Sequence, residues 1–172
     1  MLIWESRSVE RAEIEALAAR SRGAAECLLR DDGKGSVVLC ERGRAPKDVV
    51  EKRLEPVFAS GHNGPAAGPW VFCVGIWTPA EFREELCAWY LYEHGPILLE
   101  CPQWRGFQCL EASAARGNQL YVLHRLATRT ALDSEQRKRS RDTPWFHRLA
   151  RHEWFDRAFE RVLLRRVSLL WH

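Results

Sequence analysis

Trp70-Val-Phe-Cys-Val-Gly-Ile-Trp77 is a short run dense in β-branched and aromatic side chains, and it reads as a buried strand. Thr78-Pro79 closes the strand and opens a helix on which Phe82, Leu86, Trp89, Tyr90 and Glu93 share a face. Gly95-Pro96 is expected to stop that helix just after His94. A hairpin follows, Arg105 to Ala112 with Gln119 to Ala127, joined through Arg116-Gly-Asn118. A polar helix is expected over Ala131 to Arg141 and a turn or helix from Pro144. Phe159 to Ser168 reads as a last strand, with a helix as the alternative. The order is β-α-β-β-α-β, the split-βαβ or ferredoxin-like arrangement.

Upstream, Ser60 to Pro69 holds three Gly and two Pro in ten residues and interrupts both helix and strand patterns. Before it lie a strand at Leu2 to Trp4, a helix over Val9 to Arg22 with Ser8 as cap, and a hairpin built from Ala25–Arg30 and Ser36–Glu41 around Asp31-Asp-Gly-Lys-Gly35. A second helix is expected from Pro46 to Phe58. The chain thus divides into a degenerate first half (1–59), a linker (60–69) and a second half (70–172). The fold class is α+β: ferredoxin-like antiparallel sheets, each with helices on one face, related by a degenerate duplication. Packing the two uncovered sheet faces together buries both, and the pocket is expected between the sheets. Whether the facing sheet comes from the first half or from a second chain stays open at this stage, and a homodimer is slightly preferred, with the apolar end Ser168–His172 docking on the partner.

At 172 residues with 46% hydrophobic and 28% charged side chains the chain falls in the globular class, and no apolar run approaches the ~18 residues a membrane helix needs. A net charge of +3 is too mild to indicate a nucleic-acid partner without a motif. The basic run Arg137-Lys-Arg-Ser-Arg141 reads as a solvated helix face, since no aromatic interleaving accompanies it. The six cysteines form no CxxC pair or zinc-type Cys/His grouping, and Met1 to Arg7 lacks a signal-peptide core. A reduced, cytoplasmic protein with thiols packed as small hydrophobes is expected.

From Glu85 onward the chain resembles the EthD-like branch of the dimeric α/β-barrel proteins. The resemblance is carried by Trp89-Tyr-Leu-Tyr-Glu-His-Gly-Pro96, which matches that branch's W-Y-x-x-E-H-x-P helix end, and by Ile97 to Phe107, Ala131-Leu-Asp-Ser134 and Asp142-Thr-Pro-Trp145. It departs from the pattern at Leu91 and Gly95. The resemblance implies small hydrophobic ligands and a superfamily that includes cofactor-independent monooxygenases, polyketide cyclases, isomerases, haem-binding branches and proteins without known activity.

Tyr90 and His94, four residues apart, share a helix face, as do Trp89 and Glu93. A neutral His94 could take a proton α to a carbonyl, or from a phenol, while Tyr90 or Tyr92 hydrogen-bonds the oxygen that gains charge. The competing reading has His94 satisfying the last carbonyls of its own helix, with Trp89 and Tyr90 as core. Period-2 alternation puts His124 on the face of Leu120, Val122 and Leu126, in the pocket or in the core. Trp77, Trp89, Trp104 and Trp145 are candidate walls for an aromatic ligand. Neither metal nor organic cofactor is expected, since His147 and His152 are five apart and unsuited to chelation from one helix face. A non-catalytic binding protein and a histidine-ligated haem protein are the alternatives to an enzyme.

Overall fold

Residues 1–112 and 118–167 are described by a computed structural model. The expected turn at Arg116–Asn118 falls largely outside them, and the apolar end at 168–172 does so entirely. The first half runs β1 (Leu2–Ser6), α1 (Arg11–Ala18), β2 (Ser21–Arg30), β3 (Ser36–Gly43) and β4 (Val50–Gly61). The second runs β5 (Trp70–Thr78), α2 (Ala80–Trp89), a π-helical turn (Tyr90–His94), α3 (Gly95–Leu99), β6 (Trp104–Ala112), β7 (Asn118–Leu126), α4 (Glu135–Arg139), α5 (Pro144–Ala150) and β8 (Phe159–Arg166).

The strands close into one antiparallel barrel in the order β1-β3-β2-β8-β5-β7-β6-β4. Within it each half keeps the same internal order, fourth strand, first, third, second, which is the ferredoxin-like pattern repeated. One chain therefore supplies both sheets. The barrel interior is filled by the inward set Ile3, Leu28, Val37, Leu39, Leu54, Val71, Leu110, Leu123 and Leu164. On the outside, α1 lays Ile14, Leu17 and Ala18 over Leu2, Trp4, Cys27, Val38 and Cys40. The helices of the second half cover the outer face of β5, β6 and β7 through Leu86, Trp89, Tyr90, Leu98 and Leu149.

Two sequence expectations are corrected. Pro46 to Phe58 is not helical: β4 occupies Val50–Gly61, pairing with β1 on one side and β6 on the other. Lys52 and Leu54 alternate with exposed Glu51, Arg53 and Glu55, a period of two that a helix cannot use. Pro56 is tolerated because the register with β6 shifts between it and Phe58, a bulge where a missing N–H costs little. Gly95-Pro96 does not end the helix either. The chain stays helical to Leu99, because the π turn resets the hydrogen-bond ladder and places Pro96 in the first turn of α3, where a missing donor is harmless.

One end of the interior is tied by charge. Arg125 on β7 donates from Nη1 to Glu26 on β2 at 2.7 Å and from Nε to the Asn63 carbonyl at 2.9 Å, with both ionic side chains buried. The pair joins the two halves across the barrel. Arg125→Ala is expected to lower stability by about 3–5 kcal/mol by stranding a buried carboxylate, whereas Glu26→Leu combined with Arg125→Met should recover most of that loss. Urea unfolding of the three proteins measures both, and equal losses in the single and double variants would contradict the account.

Candidate functional site

The π turn organises the candidate site. Its i→i+5 bonding, seen in the Gly95 N–H donating to the Tyr90 carbonyl, places residues five apart above one another. Trp89 and His94, which an unbroken α-helix would splay, therefore lie with ring centroids 4.3 Å apart, and Tyr90 meets the same imidazole edge-on at 4.8 Å. Gly95 is required where it stands. A Cβ there would fall 2.2 Å from the Phe107 ring and 2.6 Å from the Tyr90 carbonyl oxygen, so the departure from the EthD-like pattern lets the π turn seat on β6.

His94 is 7% exposed, and its Nδ1 lies 3.2 Å from the carbonyl oxygen of Ser140, just beyond α4. A carbonyl only accepts, so Nδ1 carries the proton and the neutral ring keeps its lone pair on Nε2. This differs from the expected alternative, since the carbonyl capped belongs to a segment 46 residues away and not to the helix's own last turn. His124, 1% exposed on the outer face of β7, has the opposite tautomer. The Trp104 indole donates to its Nδ1 at 3.1 Å, which leaves the proton on Nε2. Burial pushes the His94 pKa down to about 4, with Arg141 and Arg137 adding to the effect and the Ser140 carbonyl opposing it. Burial, helped by His94 and Arg137, holds His124 well below the usual histidine range. Burial also raises the Tyr90 phenol.

These groups border a cavity of about 350 Å³ between the second-half sheet and its helices. The histidine cluster thus lies on the outer face of the second-half sheet, under its helices, and not in the space between the two sheets. Phe72, Trp89, Trp104, Phe146, Phe155 and Phe159 supply aromatic wall, and Arg137, Arg141 and Arg161 supply charge. A larger cavity of about 700 Å³ opens at one end of the barrel interior, but no histidine lines it. There Glu5 is held by Lys52 at 2.8 Å and Arg30 by Asp32 at 2.9 Å, while burial pushes the Cys73 thiol up to about 12. Glu13, Asp48 and Glu160 also line it.

Of the residues singled out in the sequence, His94, Tyr90, Trp89, Trp104 and His124 meet at the smaller cavity. Four do not. Tyr92 is 73% exposed and Trp77 49% exposed, so neither reaches the cavity. Glu93 accepts from the Thr143 hydroxyl, which itself caps α5 by accepting from the Phe146 N–H, and so positions a helix. The Trp145 indole donates to Glu85 at 3.3 Å and does not line the cavity. The three arginines were missed. Arg137 and Arg141 sit in the run read as a solvated face, yet their spacing of four, one helical turn, already placed them on one side together.

No protein-family model matches the chain, and no curated protein matches it in sequence. Solved structures do match in fold. A ferredoxin-fold protein from Listeria monocytogenes related to antibiotic biosynthesis monooxygenases superposes with a TM-score of 0.65 at 12% identity, covering 98% of this chain and 95% of that one. An anthrone oxidase-like protein gives 0.64 at 10% identity, over 97% and 90% of the two chains. The haem-degrading enzyme LmHde of Listeria monocytogenes gives 0.62 at 12% identity, over 96% and 99%. The shared feature is the ferredoxin-like antiparallel architecture.

Two outcomes follow from the geometry. Gly95→Ala should cost about 1–3 kcal/mol by forcing Phe107 away from the π turn, read as a lowered urea midpoint with unchanged slope. Because the folded-state pKa of His94 lies below its unfolded value of 6.5, the unfolded chain binds more protons as pH falls. Stability is full above pH 6.5 and is lost between there and about pH 4. His94→Gln should flatten that acid limb, and an identical pH profile in the variant would count against a buried neutral imidazole.

Proposed function

We propose that this chain is an enzyme that transforms a small aromatic or polyketide-like molecule without metal or organic cofactor, using His94 as general base. The observation that carries the reading is the imidazole itself. Its Nδ1 is committed to the Ser140 carbonyl, which leaves the lone pair on Nε2, and the imidazole lines an aromatic-walled cavity shared with Tyr90 and His124. Among the described residues the Tyr90 hydroxyl makes no hydrogen bond, so it is free to donate.

In this mechanism His94 Nε2 removes a proton from a phenol or from a carbon α to a carbonyl. The Tyr90 hydroxyl and the His124 Nε2–H then donate to the oxygen on which charge develops. A low imidazolium pKa makes His94 a weak base toward an empty site, but an anion forming beside it stabilises the imidazolium and draws the proton across. The anion can be reprotonated elsewhere or attack a second carbonyl of the same molecule, giving isomerase or cyclase outcomes. It can also react with dioxygen, in which case a ring CH2 becomes a carbonyl and its two hydrogens leave with the second oxygen atom as water. The anthrone oxidase-like neighbour and the octamer at Trp89–Pro96, with its EthD-like resemblance, support small phenolic or polyketide substrates. A homodimer in the cytoplasm belongs to the same reading, although the closed barrel does not depend on a partner.

A cavity of about 350 Å³ lies at the small end of ligand sites, which favours two or three fused rings over a tetrapyrrole. The haem-degrading neighbour makes the haem alternative worth one titration, in which His94 Nε2 would be the ligand atom. No Soret band is expected.

The deciding assay offers anthrone-type phenols to the purified chain in air and follows oxygen uptake together with quinone absorbance. His94→Ala is expected to reduce kcat/KM by about 100-fold or more. Unchanged turnover in that variant would remove the mechanism. Saturable binding without turnover by the native chain would make it a carrier or accessory protein of the same fold.

A further inference from the structure

We propose that Arg137, Arg141 and Arg161 form an anion-recognising rim on this cavity, so that the molecule it takes up is an aromatic acid carrying a carboxylate or an equally acidic oxygen. The inference rests on the cavity being the ligand site, as above, but not on His94 acting as a base.

The pairing pattern of the basic residues carries it. Around the same segment, Arg129 lies 3.3 Å from Asp31, Lys138 2.6 Å from Glu135 and Arg148 2.7 Å from Glu85, while Arg139 is bonded to Glu100. Arg137 and Arg141 have no such carboxylate among the described residues, nor does Arg161, which arrives from β8 on the other side of the cavity. Asp156 is the one acidic residue in the lining and pairs with none of them there. With both imidazoles neutral, the lining carries three positive charges against one negative. Burial, joined by repulsion from neighbouring arginines, depresses the pKa of Arg137 and of Arg161, with Asp133 opposing it at Arg137 and Tyr90 at Arg161.

Position is also prepared. Arg137 spends one N–H on the Leu132 carbonyl at 2.6 Å and lies 5.6 Å from the Phe72 ring centre, while Arg161 lies 4.8 Å from the centre of Phe159. These two guanidinium groups are held against aromatic wall with donors left over, the arrangement that suits a planar oxyanion. The hydrogen-bonding balance agrees. The Tyr90 hydroxyl and His124 Nε2–H are donors, the buried Trp89 indole nitrogen has no acceptor among the described residues, and His94 Nε2 is the acceptor. A site so rich in donors selects a ligand rich in acceptors.

The test compares anthracene-2-carboxylate with its methyl ester by fluorescence titration of the full chain. The native protein should bind the acid at least about tenfold more tightly than the ester, as a charge-assisted hydrogen bond predicts, and the difference should shrink between 20 and 500 mM salt. Arg141→Ala and Arg161→Ala should lose the preference while keeping the ester, and Arg141→Lys should keep part of it. Arg148→Ala, which breaks an ion pair outside the cavity, should change neither. His94→Ala should retain the preference for the acid even where turnover is lost, which separates this inference from the catalytic one. Equal binding of acid and ester, or a preference that survives both arginine deletions, would overturn it, as would failure of both ligands to bind.

Discussion

The seam between β2 and β8 pairs Leu28, Leu29 and Arg30 with Arg166, Arg165 and Leu164, and without it both sheets would end in an unpaired edge with the interior open to water. The opposite seam, β4 with β6, is longer and absorbs a bulge at Pro56. Closure through these two seams consumes the inward faces of both sheets. Among the described residues, the larger enclosed spaces lie at a barrel end and in the layer between the second-half sheet and its helices. It is in that outer layer of the second half that the π turn, the two histidines and the three arginines converge.

The strands of the second half were legible because β5 and β7 are covered on both faces and so read as nearly unbroken apolar runs. His124 was assigned to its correct face by alternation alone. β4 was misread because its outer face meets water: Glu51, Arg53 and Glu55 gave it a polar look, and Pro46 offered a plausible helix start. No local signal announces that a partner helix has been lost from a repeat. The π turn was hidden for a different reason. Its extra residue per turn is stabilised by tertiary contacts, Phe107 against Gly95 and Ser140 against His94, that are far apart in sequence.

Of the residues lining the outer cavity, those on the helix belong to the octamer, while Arg137 and Arg141 are absorbed into a basic run. Composition treats Arg137 to Arg141 as one feature, whereas the fold splits it: residues 138 and 139 pair with acids on the surface, and 137 and 141 line the outer cavity. The two opposed tautomers of His94 and His124 lie beyond sequence reading altogether, since each is dictated by a partner, a carbonyl in one case and an indole in the other.

The loss of the second helix from the first half has a consequence for how the molecule is used. A duplicated ferredoxin-like chain begins with two equivalent clefts between sheet and helix. In this one the outer face of β4 is solvated and the first half is roofed by α1 alone. The twofold relation survives in the strand order but not in the clefts, so the histidine-lined cavity of the second half has no counterpart among the described residues of the first. The first half instead contributes Ile3, Val37 and Leu39 to the cavity in the barrel interior.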